Sequence, residues 1–331
     1  MNIYRQEDFS ADSLAGSTVA VIGYGNQGHA HALNLRDSGL EVMVGARADG
    51  LAWQRARTDG FEPAVIPEAV AAASCVAVLL PDEIQAQVFE KDIRPFLRTG
   101  AGLVFAHGFT VAFGLIRPPA GHDVVLVAPK GQGHFLRKIY RQGLSLPCLL
   151  AVEQDASGLA LDRAIAYAGH LGCLSAGAIE SSFREEAVTD LFGEQVVLCG
   201  GVPALVTAAF ETLVDRGYRP EVAYLECLHE LKIIVDLMYS GGIAAMKERI
   251  SRTAAWGSFM TGDKMVPPVV RRQMAKALAA IETGEFAAGW SEEAAGGQKT
   301  LSARLAEERR HPIESAGEQV RALMSYLKEA K

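Results

Sequence analysis

The sequence predicts a doubly wound α/β domain followed by an all-helical domain. Short apolar segments alternate with helical patterns in the first half, and a glycine-rich loop lies at one strand–helix junction. Beyond about residue 182, long helical patterns replace the strands. Because strands separated by helices are typical of a parallel sheet with right-handed crossovers, we expect an α/β domain over 1–182 and a helical domain over 183–331.

Length and composition limit the function classes. A chain of 331 residues exceeds one ordinary core, and 49% hydrophobic with 21% charged residues is typical of globular domains. The net charge of -7 argues against a nucleic-acid partner. Scattered cysteines, a polar N-terminus and apolar stretches broken by charges before about 18 residues predict no disulfides, no signal peptide and no membrane span. We therefore expect a cytoplasmic protein.

The pattern predicts these elements individually. The expected strands are Thr18–Ile22, Glu41–Val44, Cys75–Leu80, Leu103–Ala106, Val124–Ala128 and Leu149–Val152. The expected helices include Gln27–Ser38, Arg184–Leu198, Glu221–Tyr239, Pro268–Thr283 and Ser315–Ala330.

The glycine-rich loop after the first strand reads Gly23-Tyr24-Gly25-Asn26-Gln27-Gly28. Its glycines permit a tight turn and close backbone approach, so that the next helix begins facing a pyrophosphate. Such a motif alone is weak, but here a strand precedes it and a helix follows. The loop therefore predicts a Rossmann-type site for a nicotinamide dinucleotide. The alternative is a strand–helix turn without a ligand.

The end of the second strand bears on which dinucleotide binds. Folds that bind NAD usually place an acid there, about 20 residues beyond the glycine loop. Gly45 takes that place here, and Arg47 follows two residues later. An arginine in this loop can pair with the 2′-phosphate of NADP, although a solvated loop arginine fits the pattern equally well.

Two acid pairs in the second half have the i,i+4 spacing that puts both members on one helical face. The pairs are Asp190 with Glu194 and Glu226 with Glu230. The segment around the second pair is apolar nearly all round, so we expect its acids to be buried, where carboxylates need a partner or a metal. Together the four acids predict an all-oxygen site for Mg²⁺. The alternative for the first pair is a solvated face, because residues 185–186 are also acidic.

Two further polar residues directly follow predicted strands, where open α/β sheets bind ligands. His107 follows the strand that ends at Ala106, and Lys130 follows the strand that ends at Ala128. Either could be an ordinary loop residue. The presence of both residues in glycine-flanked loops at the ends of successive strands indicates a cleft.

At this point the motifs resemble those of a known family, acetohydroxyacid isomeroreductase, also called ketol-acid reductoisomerase, of the short bacterial class I type. The resemblance covers nearly the whole chain. It rests on the segments Gly23–Ala30, Leu79–Glu83, Ala106–Phe109, Val127–Gly131, Thr189–Gln195, Glu226–Glu230 and His311–Glu314.

The resemblance implies a two-step reaction of branched-chain amino acid (isoleucine and valine) biosynthesis. A Mg²⁺-dependent alkyl shift would rearrange 2-acetolactate or 2-aceto-2-hydroxybutyrate, and NADPH or NADH would then reduce the product to a 2,3-dihydroxy acid. Asp190 would bridge two Mg²⁺ ions, with Glu194 on one and Glu226 and Glu230 on the other. Glu230 would also handle protons near the migrating centre.

The same resemblance implies further roles. His107 and Lys130 would support catalysis by charge and hydrogen bonding, and Ser251 would hold the substrate carboxylate. Beyond the glycine loop and Arg47, the residues lining the cofactor would be Asp82, Glu83, Ile84, Gln85 and Gly133. The helical domain would be knotted, and a second subunit would donate Glu226, Glu230 and Ser251, so that a homodimer is the smallest active unit.

The chain departs from the family pattern in its cofactor loop. Arg47 is retained, but Gly50 and Ala52 stand where serines usually donate hydroxyls to the 2′-phosphate. Asp49 adds a carboxylate whose negative charge repels a phosphate and whose oxygens can accept hydrogen bonds from the hydroxyls of a ribose diol. We therefore expect a weakened NADPH preference and possible use of NADH.

The second departure follows Ser251, where the sequence is Arg252-Thr253-Ala254-Ala255-Trp256-Gly257-Ser258. Gln132 and Thr110 also replace residues common in the family. One alternative is therefore a paralogue acting on a related 2-hydroxy-3-keto acid in specialised metabolism. A non-catalytic dinucleotide sensor would be expected to have lost the metal-binding acids or Lys130, and this chain retains them all. A simple 2-hydroxyacid dehydrogenase would leave the four carboxylates unexplained.

Overall fold

A computed structural model describes residues 1–324. The chain divides into two compact units, Met1–Thr189 and Asp190–Lys331. The first unit contains a mixed sheet covered by helices, and the second is helical.

The first unit is built on an eight-stranded sheet with the order β1-β8-β7-β6-β5-β4-β2-β3. Five strands, β3, β2, β4, β5 and β6, are parallel neighbours in that order. The chain leaves β2 for β3 on one side and returns to β4 on the other, which makes the end of β2 a topological switch point. The strands are β1 Ile3–Tyr4, β2 Thr18–Ile22, β3 Glu41–Gly45, β4 Cys75–Val78, β5 Gly102–Phe105, β6 Val124–Pro129, β7 Cys148–Gln154 and β8 Ala178–Glu180.

The expected parallel sheet is mixed at one side. Strand β7 runs antiparallel to β6, β8 is parallel to β7, and the short β1 is antiparallel to β8. The backbone N–H of Lys130, just after β6, donates to the Pro147 carbonyl, just before β7. The chain therefore re-enters the sheet at the edge from which it left, and β7 must run in the opposite direction.

Helices cover both faces of this sheet. Alternate residues of β2 belong to opposite core clusters, with Val19 and Val21 in one and Ala20 and Ile22 in the other, as the two-residue strand period requires. The helices of the first unit are α1 Asn26–Asp37, α2 Leu51–Thr58, α3 Ile66–Ala72, α4 Asp82–Val88, α5 Phe109–Ala112, α6 Gly133–Arg141 and α7 Ala160–Leu171, and α8 Phe183–Gly193 crosses into the second unit.

The second unit packs a small core from α9, α10 and α16, including Phe210, Tyr224 and Val320. Its helices are α9 Gly201–Asp215, α10 Pro220–Tyr224, α11 Glu230–Arg249, α12 Arg252–Met265, α13 Pro268–Glu282, α14 Glu285–Ala295, α15 Lys299–Glu308 and α16 Pro312–Ala322. π-helical turns at Glu194–Leu198 and Leu225–His229 extend α8 and lead into α11. The expected helix Ser315–Ala330 begins three residues earlier, and its last part lies outside the described residues.

The expectation that the Glu221–Tyr239 segment is buried was wrong for the single chain. Ile233, Val235 and Tyr239 are 54%, 43% and 84% exposed, and both Glu226 and Glu230 are exposed. An apolar helix needs a partner surface to be buried, and within the described residues this chain does not supply one for that face.

One apolar run also exceeds the length expected from the sequence. By length and composition alone, Phe183–Asp215 is long enough to cross a membrane, with 11% of its most apolar window buried. Charges break this stretch only just before about 18 residues, and not well before as expected, because the 16 residues between Glu194 and Glu211 are uncharged. Core helices of globular proteins can match this length and composition, but they are mostly buried.

Candidate active site

The glycine loop forms a closed turn at the carboxyl end of β2. Gly23 has a φ of +95°, which favours glycine, and α1 begins at Asn26 with Gly25 as its N-cap residue. A Cβ on Gly28 would lie 2.1 Å from the Gly23 carbonyl oxygen. The first turn of α1 therefore packs directly on the loop, and its free N–H groups face the position of a pyrophosphate.

The start of α6 braces this loop from the side. The Gln27 side-chain amide donates to the Gly131 carbonyl at 3.0 Å, and the His134 N–H donates to the Asn26 amide oxygen at 3.2 Å. A Cβ on Gly133 would lie 1.9 Å from the Asn26 carbonyl oxygen. Gly133 is thus required for the close approach of α6 to the loop.

Helix α4 begins at the carboxyl end of β4 with the four candidate cofactor residues Asp82, Glu83, Ile84 and Gln85. The Gln85 side chain is 5% exposed; it donates to the Leu80 carbonyl and accepts from the Thr110 hydroxyl. Gln85 therefore joins the ends of β4 and β5. Asp82, Glu83 and Ile84 lie on the more accessible first turn.

The loop after β3 carries Arg47 and Asp49, both exposed. Asp49 has a φ of +58°, a left-handed conformation that aspartate tolerates better than most residues. A Cβ on Gly45 would lie 2.6 Å from the terminal methyl of Ile22 and 3.1 Å from the Ala69 Cβ, so an acid at the usual ribose-binding place would require these side chains to shift. Asp49 is the acid that this loop offers instead.

A buried carboxylate lies at the centre of the candidate active site. Glu186 of α8 is 1% exposed, and its oxygens accept from the Lys130 ammonium at 2.7 Å and from the Gly108 N–H at 2.7 Å. One oxygen is also 3.0 Å from Nδ1 of His107. Although burial alone would raise the pKa of Glu186, His107 and Lys130 outweigh it and lower that pKa to about 2.

Glu186 is held close to the sheet by the packing of α8. A Cβ on Gly108 would lie 2.2 Å from the Phe183 carbonyl oxygen, and the Phe183 ring meets Phe105 edge-on at 5.9 Å. The glycine after His107 therefore lets α8 approach the end of β5. This approach brings Glu186 to the two strand-end residues that the sequence indicated, His107 and Lys130.

Sequence reasoning missed Glu186, treating it as part of a charged face. The available signal was its spacing, because Glu186, Asp190 and Glu194 follow one another at i,i+4 along one helix. The Glu186 and Asp190 carboxylates lie within 4.8 Å of one another. Asp190 is half-buried and Glu194 is exposed at the start of the π-helical turn.

The second acid pair is elsewhere in the single chain. Glu226 lies in the π-helical turn and Glu230 begins α11, one turn later. Among the described residues, neither belongs to the group of close metal-ligand atoms that contains Glu186 and Asp190. The Ser251 hydroxyl accepts from the Ala254 N–H at 3.1 Å and caps α12.

Comparison with known proteins decides the family. Residues 13–177 match the family model described as acetohydroxy acid isomeroreductase, NADPH-binding domain, and residues 183–326 match the ketol-acid reductoisomerase C-terminal domain. The chain belongs to the ketol-acid reductoisomerase family. The family resemblance, the α/β-plus-helical fold class and an NAD(P)H-dependent ketol-acid reductoisomerase activity in branched-chain amino acid biosynthesis are thereby confirmed, whereas the knot stays a prediction.

Solved structures agree with this family assignment. An NADH-preferring ketol-acid reductoisomerase from an uncultured archean is 42% identical, covers 98% of this chain and 100% of its own, and superimposes with a TM-score of 0.95. A putative oxidoreductase from Jannaschia sp. CCS1, at 19% identity and a TM-score of 0.59, covers 81% of this chain and 98% of its own. A semialdehyde dehydrogenase NAD-binding protein from Cupriavidus necator, at 18% and 0.58, covers 80% and 99%. These two share the fold alone.

Proposed function

We propose that this ketol-acid reductoisomerase converts 2-acetolactate or 2-aceto-2-hydroxybutyrate to the 2,3-dihydroxy acid by alkyl migration and hydride transfer. The observation that carries this proposal is the Glu186 carboxylate, which holds Lys130 and His107 together at the sheet edge that also bears the glycine loop. A cationic ammonium and an imidazole in such a place suit a substrate with adjacent oxygen atoms.

Two Mg²⁺ ions fit the donor chemistry of the acids. Asp190 and Glu194 are oxygen ligands one turn apart, and Glu186 lies one turn before them, already engaged by Lys130 and His107. We propose that Asp190 and Glu194 hold the metals, with Glu226 and Glu230 completing the set. When bound, the metals would act as Lewis acids on the substrate oxygens.

Four residues of the chain would then have separate roles. Lys130, held by Glu186, would keep its proton and place positive charge beside developing alkoxide charge. His107, oriented by the same carboxylate through Nδ1, would present its Nε2 toward the substrate. Glu230 would move a proton at the migrating centre, and Ser251 would hold the substrate carboxylate.

We further propose that the site is completed by a second copy of the chain. Glu226, Glu230 and Ser251 are exposed in the single chain, on or beside helices whose apolar side chains are also exposed. Three large apolar side chains here are unfavourably exposed to water: Ile243, Trp256 and Phe259, at 65%, 67% and 58% exposure. A homodimer, or a larger assembly of dimers, would bury them and bring the second acid pair to the first.

For the cofactor, we propose NADH in preference to NADPH. Gly50 and Ala52 supply no hydroxyl to a 2′-phosphate, and the exposed Asp49 carboxylate would repel it while accepting from a ribose diol. The relative at 42% identity is itself NADH-preferring. Arg47 remains the one cation of the loop that could favour NADPH.

The departures after Ser251 favour a second candidate, a related 2-hydroxy-3-keto acid as substrate. Arg252 and Trp256 are exposed on α12 and bring charge and bulk near the proposed carboxylate holder. A substrate panel with both acetohydroxyacids and product identification by mass spectrometry tests the proposal. Formation of either 2,3-dihydroxy acid supports it, and turnover of neither rejects it in favour of the second candidate.

We also propose a cytoplasmic location. Cys75, Cys148 and Cys173 are buried as free thiols, which suits a reducing compartment. Cell fractionation with antibody detection tests this, and recovery in an extracytoplasmic fraction would contradict it.

A further inference from the structure

Helix α6 carries a basic strip that no part of the proposed reaction uses. The strip consists of His134, Arg137, Lys138 and Arg141, which line a shallow surface depression together with Gln142. Arg137 is half-buried and the other three are exposed. This strip stands out on a chain whose net charge is -7.

The charge of the strip is only partly balanced. Arg137 donates to the Asp37 carboxylate at 2.5 Å and to the Asn34 amide oxygen at 2.9 Å. For Lys138 and Arg141, the part of the chain that the structure describes provides no ion pair. The strip is therefore net positive by about two charges near neutral pH.

The strip begins at the cofactor loop. The His134 N–H donates to Asn26 of the glycine loop, and Gly133 packs against the Asn26 carbonyl. With a rise of about 1.5 Å per residue, Lys138 lies about 6 Å and Arg141 about 11 Å along the helix from His134. Both charges are thus near enough to act on an anion that arrives at the loop. They lie beyond the first turn of α6.

We propose that the basic strip of α6 electrostatically steers the anionic dinucleotide to the glycine loop. A dinucleotide carries a negative pyrophosphate, and a protein of net negative charge repels it at long range. A local positive strip reverses the sign of the field along one approach. The strip would raise the association rate constant and leave the dissociation rate constant unchanged, because Lys138 and Arg141 lie one to two helical turns beyond Gly133 and His134, the residues of α6 that meet the loop.

The range of this effect depends on ionic strength. The screening length is about 8 Å at 0.15 M salt and about 30 Å at 0.01 M. At 0.01 M the charges of Lys138 and Arg141 are only weakly screened at the loop. At 0.15 M the nearer Lys138 dominates and the total effect is small.

The test is stopped-flow measurement of NADH fluorescence on binding to the full chain with Mg²⁺ and no substrate. The variants are Lys138→Gln, Arg141→Gln and the double variant. The matched control is Arg98→Gln, which removes one exposed charge, with its hydrogen bond to the Ala72 carbonyl, before the amino end of β5 and thus at the opposite end of the strands from the glycine loop.

At 0.01 M salt, the double variant is expected to lower the association rate constant about fivefold, and each single variant about two- to threefold. At 0.15 M the double variant is expected to differ less than twofold from the parent chain. Arg98→Gln is expected to leave the rate constants unchanged at both salt concentrations.

Three results would overturn the proposal. An unchanged association rate at 0.01 M would show that the strip does not steer. A faster dissociation at an unchanged association rate would make it a direct contact to the cofactor. An equal effect of Arg98→Gln on the association rate constant would show that the net charge of the protein, and not the position of the strip, sets the rate. Failure of the parent chain to bind NADH at all would instead count against the cofactor assignment.

Discussion

Replacing Glu186 by Gln removes the charge that organises the candidate active site. The change keeps the shape of the side chain, but its NH₂ group must then face a donor, because Lys130, His107 and the Gly108 N–H surround both carboxylate oxygens. The substitution is therefore expected to lower the free energy of unfolding and to displace the candidate catalytic side chains of Lys130 and His107.

The size of the stability loss follows from the pKa of Glu186. A fall from 4.5 to about 2 on folding corresponds to about 3 kcal/mol of stability at neutral pH. Because the folded-state pKa is depressed, this contribution is complete above pH 4.5 and is lost as the pH falls from about 4.5 toward 2. For a unit of this length, about 3 kcal/mol corresponds to a Tm lower by roughly 6–12 °C.

The measurements are thermal unfolding by circular dichroism between pH 7 and pH 3 and steady-state kinetics at neutral pH. Glu186→Gln is expected to lower Tm at pH 7, to flatten its decline below pH 4.5, and to reduce kcat/KM about a hundredfold through misplaced Lys130 and His107. Glu185→Gln, on the exposed side of the same helix, is the matched control. A Glu186→Gln protein with the Tm and kcat of the parent chain would refute the reasoning.

Three further predictions concern the cofactor loops and the core. Asp59→Asn weakens the acceptor of the Tyr24 hydroxyl, 3.0 Å away, and is expected to raise the KM for NADH several-fold with kcat within twofold; an unchanged KM would contradict it. Gly50→Ser with Ala52→Ser is expected to shift the NADPH-to-NADH ratio of kcat/KM about tenfold toward NADPH, since Gly50 is the N-cap residue of α2 with a φ of -75° that serine also adopts, and its Cβ would lie 3.2 Å from the Arg47 carbonyl oxygen. Burial lowers the pKa of His31 to about 3, so stability falls as pH drops below 6.5; His31→Gln is expected to make that decline in chemical unfolding shallower, and an unchanged slope would count against it.

Local sequence patterns predicted the half of the site that depends on local structure. The glycine loop needs only a strand, three glycines and a helix, and all of these lie within one short segment. His107 and Lys130 follow strands whose ends could be read from their apolar residues. Each of these signals is contained in neighbouring residues, and the structure brings the two strand-end residues to one carboxylate.

The rest depends on contacts between distant segments or on a second chain. Glu186 shows its importance only through partners 56 and 79 residues earlier in the sequence. The reversed direction of β7 depends on the return of the chain to Pro147, which no periodicity encodes. The burial expected for Glu226 and Glu230 was inferred from apolar neighbours, and within this single chain those neighbours are themselves exposed.

The most direct test of the central claim is oxidation of NADH and of NADPH by the purified chain with 2-acetolactate, with and without Mg²⁺. The account predicts cofactor oxidation that requires both 2-acetolactate and Mg²⁺, a higher kcat/KM with NADH, and loss of activity in Glu230→Gln. Oxidation without Mg²⁺, full activity of Glu230→Gln, or no oxidation of either cofactor would contradict it.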